Sequence, residues 1–265
     1  MDDTSPENMF EASLKRLNSR RTFLKTAAAG TAAVAATGLL RGSADAQAAD
    51  TIQQIFDIAA TAETLAVTFY TNGVNNAGAL GLADSDLDEI KAALLEEEIH
   101  LEFFNANGGH SATQTFSFPD GPATFTNLSN FISTQQQLEG VFDSAFIAAA
   151  YEFGQMGRAD LTRYACMIAM IESEHRALGR DIARSKGVAL DAAKAGTATT
   201  DPADNWAFAP QTIPSVGAAP AIVQAAGYLS PTGANSYTYQ KPDVTSSTYA
   251  GVYANILFKT PFVAS

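Results

Sequence analysis

Apolar residues recur at helical spacing along four stretches of the chain. In the first, about residues 51–71, Ile55, Ile58, Ala62, Ala66 and Phe69 fall on one stripe. The second runs about 84–105, with a cap expected at Asp84 or Ser85 and a stop at "NANGG". The third, about 128–154, carries Phe131, Leu138, Phe142, Phe146 and Ala149 at helical steps. The fourth, about 158–185, alternates steps of three and four through Tyr164, Ile168, Ile171, His175, Leu178 and Ile182. It stops at Gly187 after a basic last turn. "NGVNNAGALGLA" joins the first pair and "GQMGR" the last pair, whereas about 106–127 is a longer crossover rich in Gly, Ser, Thr, Phe and Pro. Two hairpins linked by one long crossover predict an all-α four-helix bundle over 51–186.

Both ends of the chain depart from this texture. Residues 196–265 are rich in Thr, Ser, Pro, Ala and Tyr and poor in charge. The pieces "YTYQKP" and "STYAGVYANILF" favour strands, and a short helix is expected near 219–226. The segment reads as an irregular, partly β extension packed on the bundle. At the other end, "SRRTFLK" precedes an apolar run at 26–40 and a small-x-small site at Ala44-Asp45-Ala46. That order of charged, apolar and small residues predicts an export signal over 1–46, with cleavage after Ala48 as an alternative. The apolar run of about 15 residues falls short of the ~20 that span a bilayer, so no stable membrane anchor is expected. "SRRTFLK" resembles the twin-arginine signal, an address read by the Tat export machinery. The resemblance implies export of an already folded protein, commonly one with a cofactor, into the bacterial periplasm or cell envelope.

The formal net charge of the full chain is −12, from 16 basic and 28 acidic residues. Loss of residues 1–46 removes six basic and five acidic residues, leaving 10 and 23 and a net charge of −13. Such a surface disfavours nucleic acid and anionic lipid as partners and suits cations. The single cysteine, Cys166, allows no intramolecular disulfide and is expected to be buried filler.

The chemistry concentrates in acids set inside the apolar stripes. The chain has three histidines, and two lie three residues after a glutamate on a predicted helix: Glu97-x-x-His100 and Glu172-x-x-His175. With 12 glutamates in 265 residues, chance supplies this spacing to a given histidine about 5% of the time. The i, i+3 spacing puts a carboxylate and an imidazole on one face, within reach of one metal ion. A two-metal site in a bundle needs one more glutamate from each remaining helix. Glu63 is the single acid in the apolar interior of the first helix. Glu139 shares a face with Phe142 and Phe146 on the third, where Asp143 and Glu152 are alternatives. Glu63 precedes Glu97 by 34 residues and Glu139 precedes Glu172 by 33, so two hairpins can bring their acids to one level. Glu96, Glu98 and Glu102 are expected to face water or support the ligands. Asp160 and Asp181 read as capping or solvated groups and His110 as a loop residue. Tyr70, Tyr151 and Tyr164 read as core packing, with redox activity or a hydrogen bond to a ligand as the alternatives.

The order Glu, Glu-x-x-His, Glu, Glu-x-x-His over four helices resembles the di-iron carboxylate proteins of the ferritin-like superfamily. More narrowly, "AETLAVTFY", "EEEIHLEFF", "QQLEGVFDSAF" and "IESEHRAL" resemble the exported ferritin-like proteins often labelled desiccation-related. The resemblance implies Glu63, Glu97, His100, Glu139, Glu172 and His175 as ligands, with Glu97 and Glu172 as bridges. Oxygen-rich donors with one imidazole per ion suit two ions of iron first and manganese second. The expected function is a reaction with Fe(II) and dioxygen, or with peroxide, in envelope stress protection. The alternative is a non-enzymatic stress or interaction protein whose metal is structural or absent. A mineral-storing cage ranks behind both, since the extension obstructs a closed shell; assembly into a homo-oligomer stays open.

Overall fold

The computed structural model describes residues 50–195, 208–209 and 212–261. The predicted signal and its cleavage sites lie outside the described residues, as do 196–207 of the extension. Four long helices carry the fold: α1 (Ile52–Asn75), α2 (Asp84–Ala106), α3 (Leu128–Gln155) and α4 (Ala159–Ser185). The all-α expectation is met, and α1 outruns its predicted end by one turn.

Local chemistry explains the helix ends. Thr51 and Gln54 form a reciprocal capping box at the start of α1. The Thr51 hydroxyl accepts from Gln54 N–H at 3.2 Å, and the Gln54 amide oxygen accepts from Thr51 N–H at 2.8 Å. Asn127 caps α3 by accepting from Asn130 N–H at 3.1 Å. The expected side-chain cap of α2 does not form. Ala83 occupies the N-cap without a side-chain bond, and Asp84 and Asp86 in the first turn face the positive end of the helix dipole instead. Gly187, at φ 64, follows α4 where a left-handed residue is needed.

The core is one cluster lined by residues from all four helices. Phe69 stacks on Phe131 at 4.6 Å, with Phe118 and Phe125 against them. Gly73 makes the stack fit, because a Cβ there would lie 2.6 Å from the Phe131 ring. Burying each such ring stabilises the fold by about 1.5–3 kcal/mol.

The crossover and the C-terminal extension are woven together over the bundle. Thr115–Phe116 (β1) pairs antiparallel with Tyr237–Thr238 (β2), in the register Thr115↔Thr238 and Phe116↔Tyr237. Ser117 donates to the Gly227 carbonyl at 2.6 Å, and Asn235 brackets the backbone of Phe118. The extension forms one expected helix, α5 (Ala219–Ala225), and one unexpected helix, α6 (Ala250–Asn255). The latter lies within "STYAGVYANILF", read above as β-prone. No partner strand is offered to it, and local hydrogen bonds from Ala250 N–H to Ser246 and Tyr253 N–H to Tyr249 close helical turns instead. Among the described residues, no helix is long and apolar enough to cross a membrane.

Candidate metal centre

Midway along the bundle, each long helix turns an acid inward. Glu63 of α1, Glu97 of α2 and Glu172 of α4 are fully buried, and Glu139 of α3 is 1% exposed. His175 is fully buried beside them, while His100 keeps a small opening to solvent. The ligand atoms form two overlapping groups, each with its members within 4.8 Å of one another. One contains Glu63, Glu97, His100 and Glu172; the other contains Glu97, Glu139, Glu172 and His175. All six residues singled out in the sequence therefore meet, and Glu97 and Glu172 belong to both groups.

Both imidazoles present Nδ1 to the acids. His100 Nδ1 lies 3.4 Å from Glu97, 3.6 Å from Glu172 and 3.9 Å from Glu63. His175 Nδ1 lies 3.1 Å from Glu97 and 3.6 Å from both Glu139 and Glu172. The donors converge without satisfying one another. Both oxygens of Glu63 and of Glu172, one each of Glu97 and Glu139, and His175 Nδ1 are buried with no hydrogen-bond partner. Buried polar atoms almost always find partners, so this many around one point fits a cation better than a packing accident. Four carboxylates offset the charge of two divalent ions, and a carboxylate–imidazole donor set suits iron or manganese.

The electrostatics agree with that fit. Burial pushes the Glu63 carboxyl well above its ordinary range, and the neighbouring Glu97 and Glu172 push it further. Burial, then Glu97 and Glu139, does the same to Glu172. Burial opposes charge on Glu97 too, but contacts with His100 and His175 prevail and hold it below the usual range. Burial also opposes charge on His175, yet Glu139, Glu172 and Glu96 around it hold its proton well above neutrality. In the metal-free cluster the surroundings thus favour the protonated forms of Glu63, Glu172 and His175.

A surrounding layer orients these groups. His175 Nε2 meets Glu96 at 2.9 Å, which fixes the ring and leaves Nδ1 for the cluster. The Tyr70 hydroxyl donates to Glu139, and Gln135 donates to Tyr70 at 3.2 Å and to the His175 carbonyl at 2.8 Å. Gly179 leaves room for this arrangement, since a Cβ there would sit 1.7 Å from the Gln135 oxygen. The alternatives to Glu139 have other partners. Asp143 pairs with Arg176 at 3.2 Å, and burial still raises its carboxyl to about 6. Glu152 accepts from Val216 N–H at 2.8 Å. Glu98 is buried and accepts from Tyr239 at 2.9 Å, with Lys241 at 3.6 Å and also bonded to Glu102.

Three readings change. Tyr70 is a hydrogen-bond donor to Glu139 as well as core, and Gln135 was not singled out at all. The only sequence signal for either is position: Gln135 lies one turn before Glu139, and Tyr70 two turns after Glu63. Cys166 is exposed, not buried filler, because α4 turns it to the outer face with Met167 and Met170. Tyr151 is likewise mostly exposed, whereas Tyr164 packs edge-on against Phe103.

Because Glu96 holds the His175 ring, Glu96→Gln is expected to weaken metal uptake by about 10–100-fold without unfolding the protein. A competitive titration with a metal chelator, alongside circular dichroism, measures both quantities. Unchanged affinity would assign Glu96 to the surface.

The fold and this cluster define a class: four-helix bundles with carboxylate-rich cores. Residues 51–185 match the ferritin-like domain family, just over half of the chain, and the chain belongs to that family. Residues 18–37 match the signal sequence of the twin-arginine translocation pathway, which directs export across a membrane. No curated protein and no solved structure matches the chain.

Proposed function

We propose that this is an exported dimetal protein that reacts with Fe(II) and dioxygen or with peroxide in the periplasm or cell envelope. The observation that carries the reading is the pair of Glu/His groups sharing Glu97 and Glu172. Glu63 and His100 would hold one ion, Glu139 and His175 the other, and Glu97 and Glu172 would lie between them. Iron or manganese there would supply one-electron redox chemistry toward dioxygen or peroxide, which carboxylates alone lack.

The chain's own residues contribute order, dryness and protons. Glu96 orients the His175 ring, and Tyr70 with Gln135 orients Glu139. Apolar neighbours such as Leu65, Leu101 and Leu138 keep bulk water out and strengthen every charge interaction inside. In the metal-free protein, burial and the neighbouring acids favour the protonated forms of Glu63 and Glu172, and metal binding displaces those protons. Export in the folded state lets the cytoplasm choose the metal, which matters because divalent-ion affinities follow a fixed order that does not favour iron or manganese.

Metal analysis of the protein purified from metal-replete cells tests this reading. About two ions of iron or manganese per chain are expected. Fewer than one overturns it. The paired variant Glu97→Ala, Glu172→Ala is expected to lose both ions together with Fe(II) oxidation or peroxide turnover. Turnover unchanged in it would show that this cluster does not carry the reaction.

A further inference from the structure

A cavity of about 200 Å³, partly open to solvent, lies between the helices and is lined by close sequence neighbours of the acidic cluster. Its position follows from chain direction. It is lined by Ala62, which precedes Glu63, and by Ile168, one turn before Glu172. It is also lined by Phe103, three residues after His100, and Phe142, three residues after Glu139. On every helix a lining residue therefore lies within about one turn, some 5 Å along the axis, of a member of the cluster. The same pattern shows that α1 and α4 run one way and α2 and α3 the other, which the ion pair between Asp86 and Lys186 supports at the far end.

The cavity exists because small residues occupy core positions where leucine would fill the space. Ala59 of α1, Ala149 of α3 and Ala165 of α4 are buried and line it, facing the rings of Phe104, Phe146 and Phe153. The extension closes one side with Val216, Ala219 and Val223, which gives this segment a definite place in the molecule. Polar side chains among the lining residues, Asp57, Thr61 and Thr113, are only partly buried. Apolar walls such as these hold water poorly.

We propose that this cavity binds an uncharged, apolar small molecule, with the bulk of one or two aromatic rings or a hydrocarbon of similar size. An apolar cavity of about 150 Å³ suffices to bind benzene. A charged or strongly polar ligand would lose its hydration against these walls and find no partner. Placed one turn from Glu63, Glu139 and Glu172, the molecule lies beside the centre proposed above. Its role as a substrate of that centre rests on that reading; its binding does not.

Fluorobenzene followed by fluorine NMR on the full mature protein, first without metal, tests binding alone. Saturable occupancy of one site per chain is expected, and Ala165→Leu is expected to weaken it at least tenfold. Ala149→Val provides a second, milder filling should the leucine not be accommodated. No saturable binding, or equal binding in wild type and a folded variant, overturns the proposal. Loading with Mn(II), its uptake confirmed by metal analysis, then reports position. Strong shortening of the fluorine relaxation time places the molecule beside the cluster, and no shortening in the loaded protein refutes that placement. Failure of Mn(II) uptake counts against the metal centre and leaves the metal-free binding result to stand or fall by itself.

Discussion

Replacing Glu172 by leucine is expected to remove double metal loading while making the metal-free protein more stable. Glu172 is fully buried and neither of its oxygens has a hydrogen-bond partner. Burial and the adjacent Glu97 and Glu139 force it to hold a proton it would shed in water. Leucine fills a similar volume without that cost. Replacing buried ionic groups by apolar residues often stabilises a fold by about 1–4 kcal/mol. With metal the order reverses. Wild type gains about 4 kcal/mol at a free metal concentration a thousand times its dissociation constant, and the variant, lacking the shared acid, gains little. Melting curves of both proteins, with chelator and with excess Mn(II), should therefore cross. A variant that is less stable in chelator and still loads two ions would refute the assignment of Glu172.

Metal uptake is also expected to release protons and to weaken in acid. The protons are those held on Glu63, Glu172 and His175 in the metal-free cluster. Below the raised folded pKa values of these groups, each displaced proton changes affinity by up to about tenfold per pH unit. The metal-free fold has the opposite pH dependence. Folded Glu63 and Glu172 bind protons that the unfolded chain releases near 4.5, and folded His175 binds one released near 6.5. The native state thus binds more protons, so metal-free stability falls as pH rises from about 4.5 through neutrality. Calorimetry in two buffers of different ionisation enthalpy counts the protons. Fewer than one released per chain would contradict the protonated cluster.

Much of this was legible in the sequence. The four helices announce themselves because Phe, Leu and Ile recur every three or four residues, and the two Glu-x-x-His pairs stand out against a chain with three histidines. What was not legible depends on direction and distance rather than on spacing. Glu96, Glu97 and Glu98 are consecutive, yet one meets His175 from outside, one enters the cluster and one is held by Tyr239. Periodicity alone cannot divide such a run. Gln135 acts through a residue on another helix, so its place one turn before Glu139 is the sole mark it carries. The alanines that open the cavity read as ordinary helix formers, because a missing side chain leaves no pattern. Residues 250–255 took a helix over a strand because sheet needs a partner, which a local sequence does not reveal.

The weave of crossover and extension also sets the order in which the molecule can be completed. The Thr115–Thr238 contact spans 123 positions, and Tyr239 reaches back 141 to hold Glu98, next to Glu97. Contacts of that separation close slowly, because the loop entropy must be lost before any of them forms. A nascent chain can form its helices early, but it cannot make the Tyr239–Glu98 bond until residue 239 has left the ribosome. A pathway that carries finished proteins, in preference to one that threads unfolded chains, suits a molecule whose crossover and extension are fastened across more than a hundred positions.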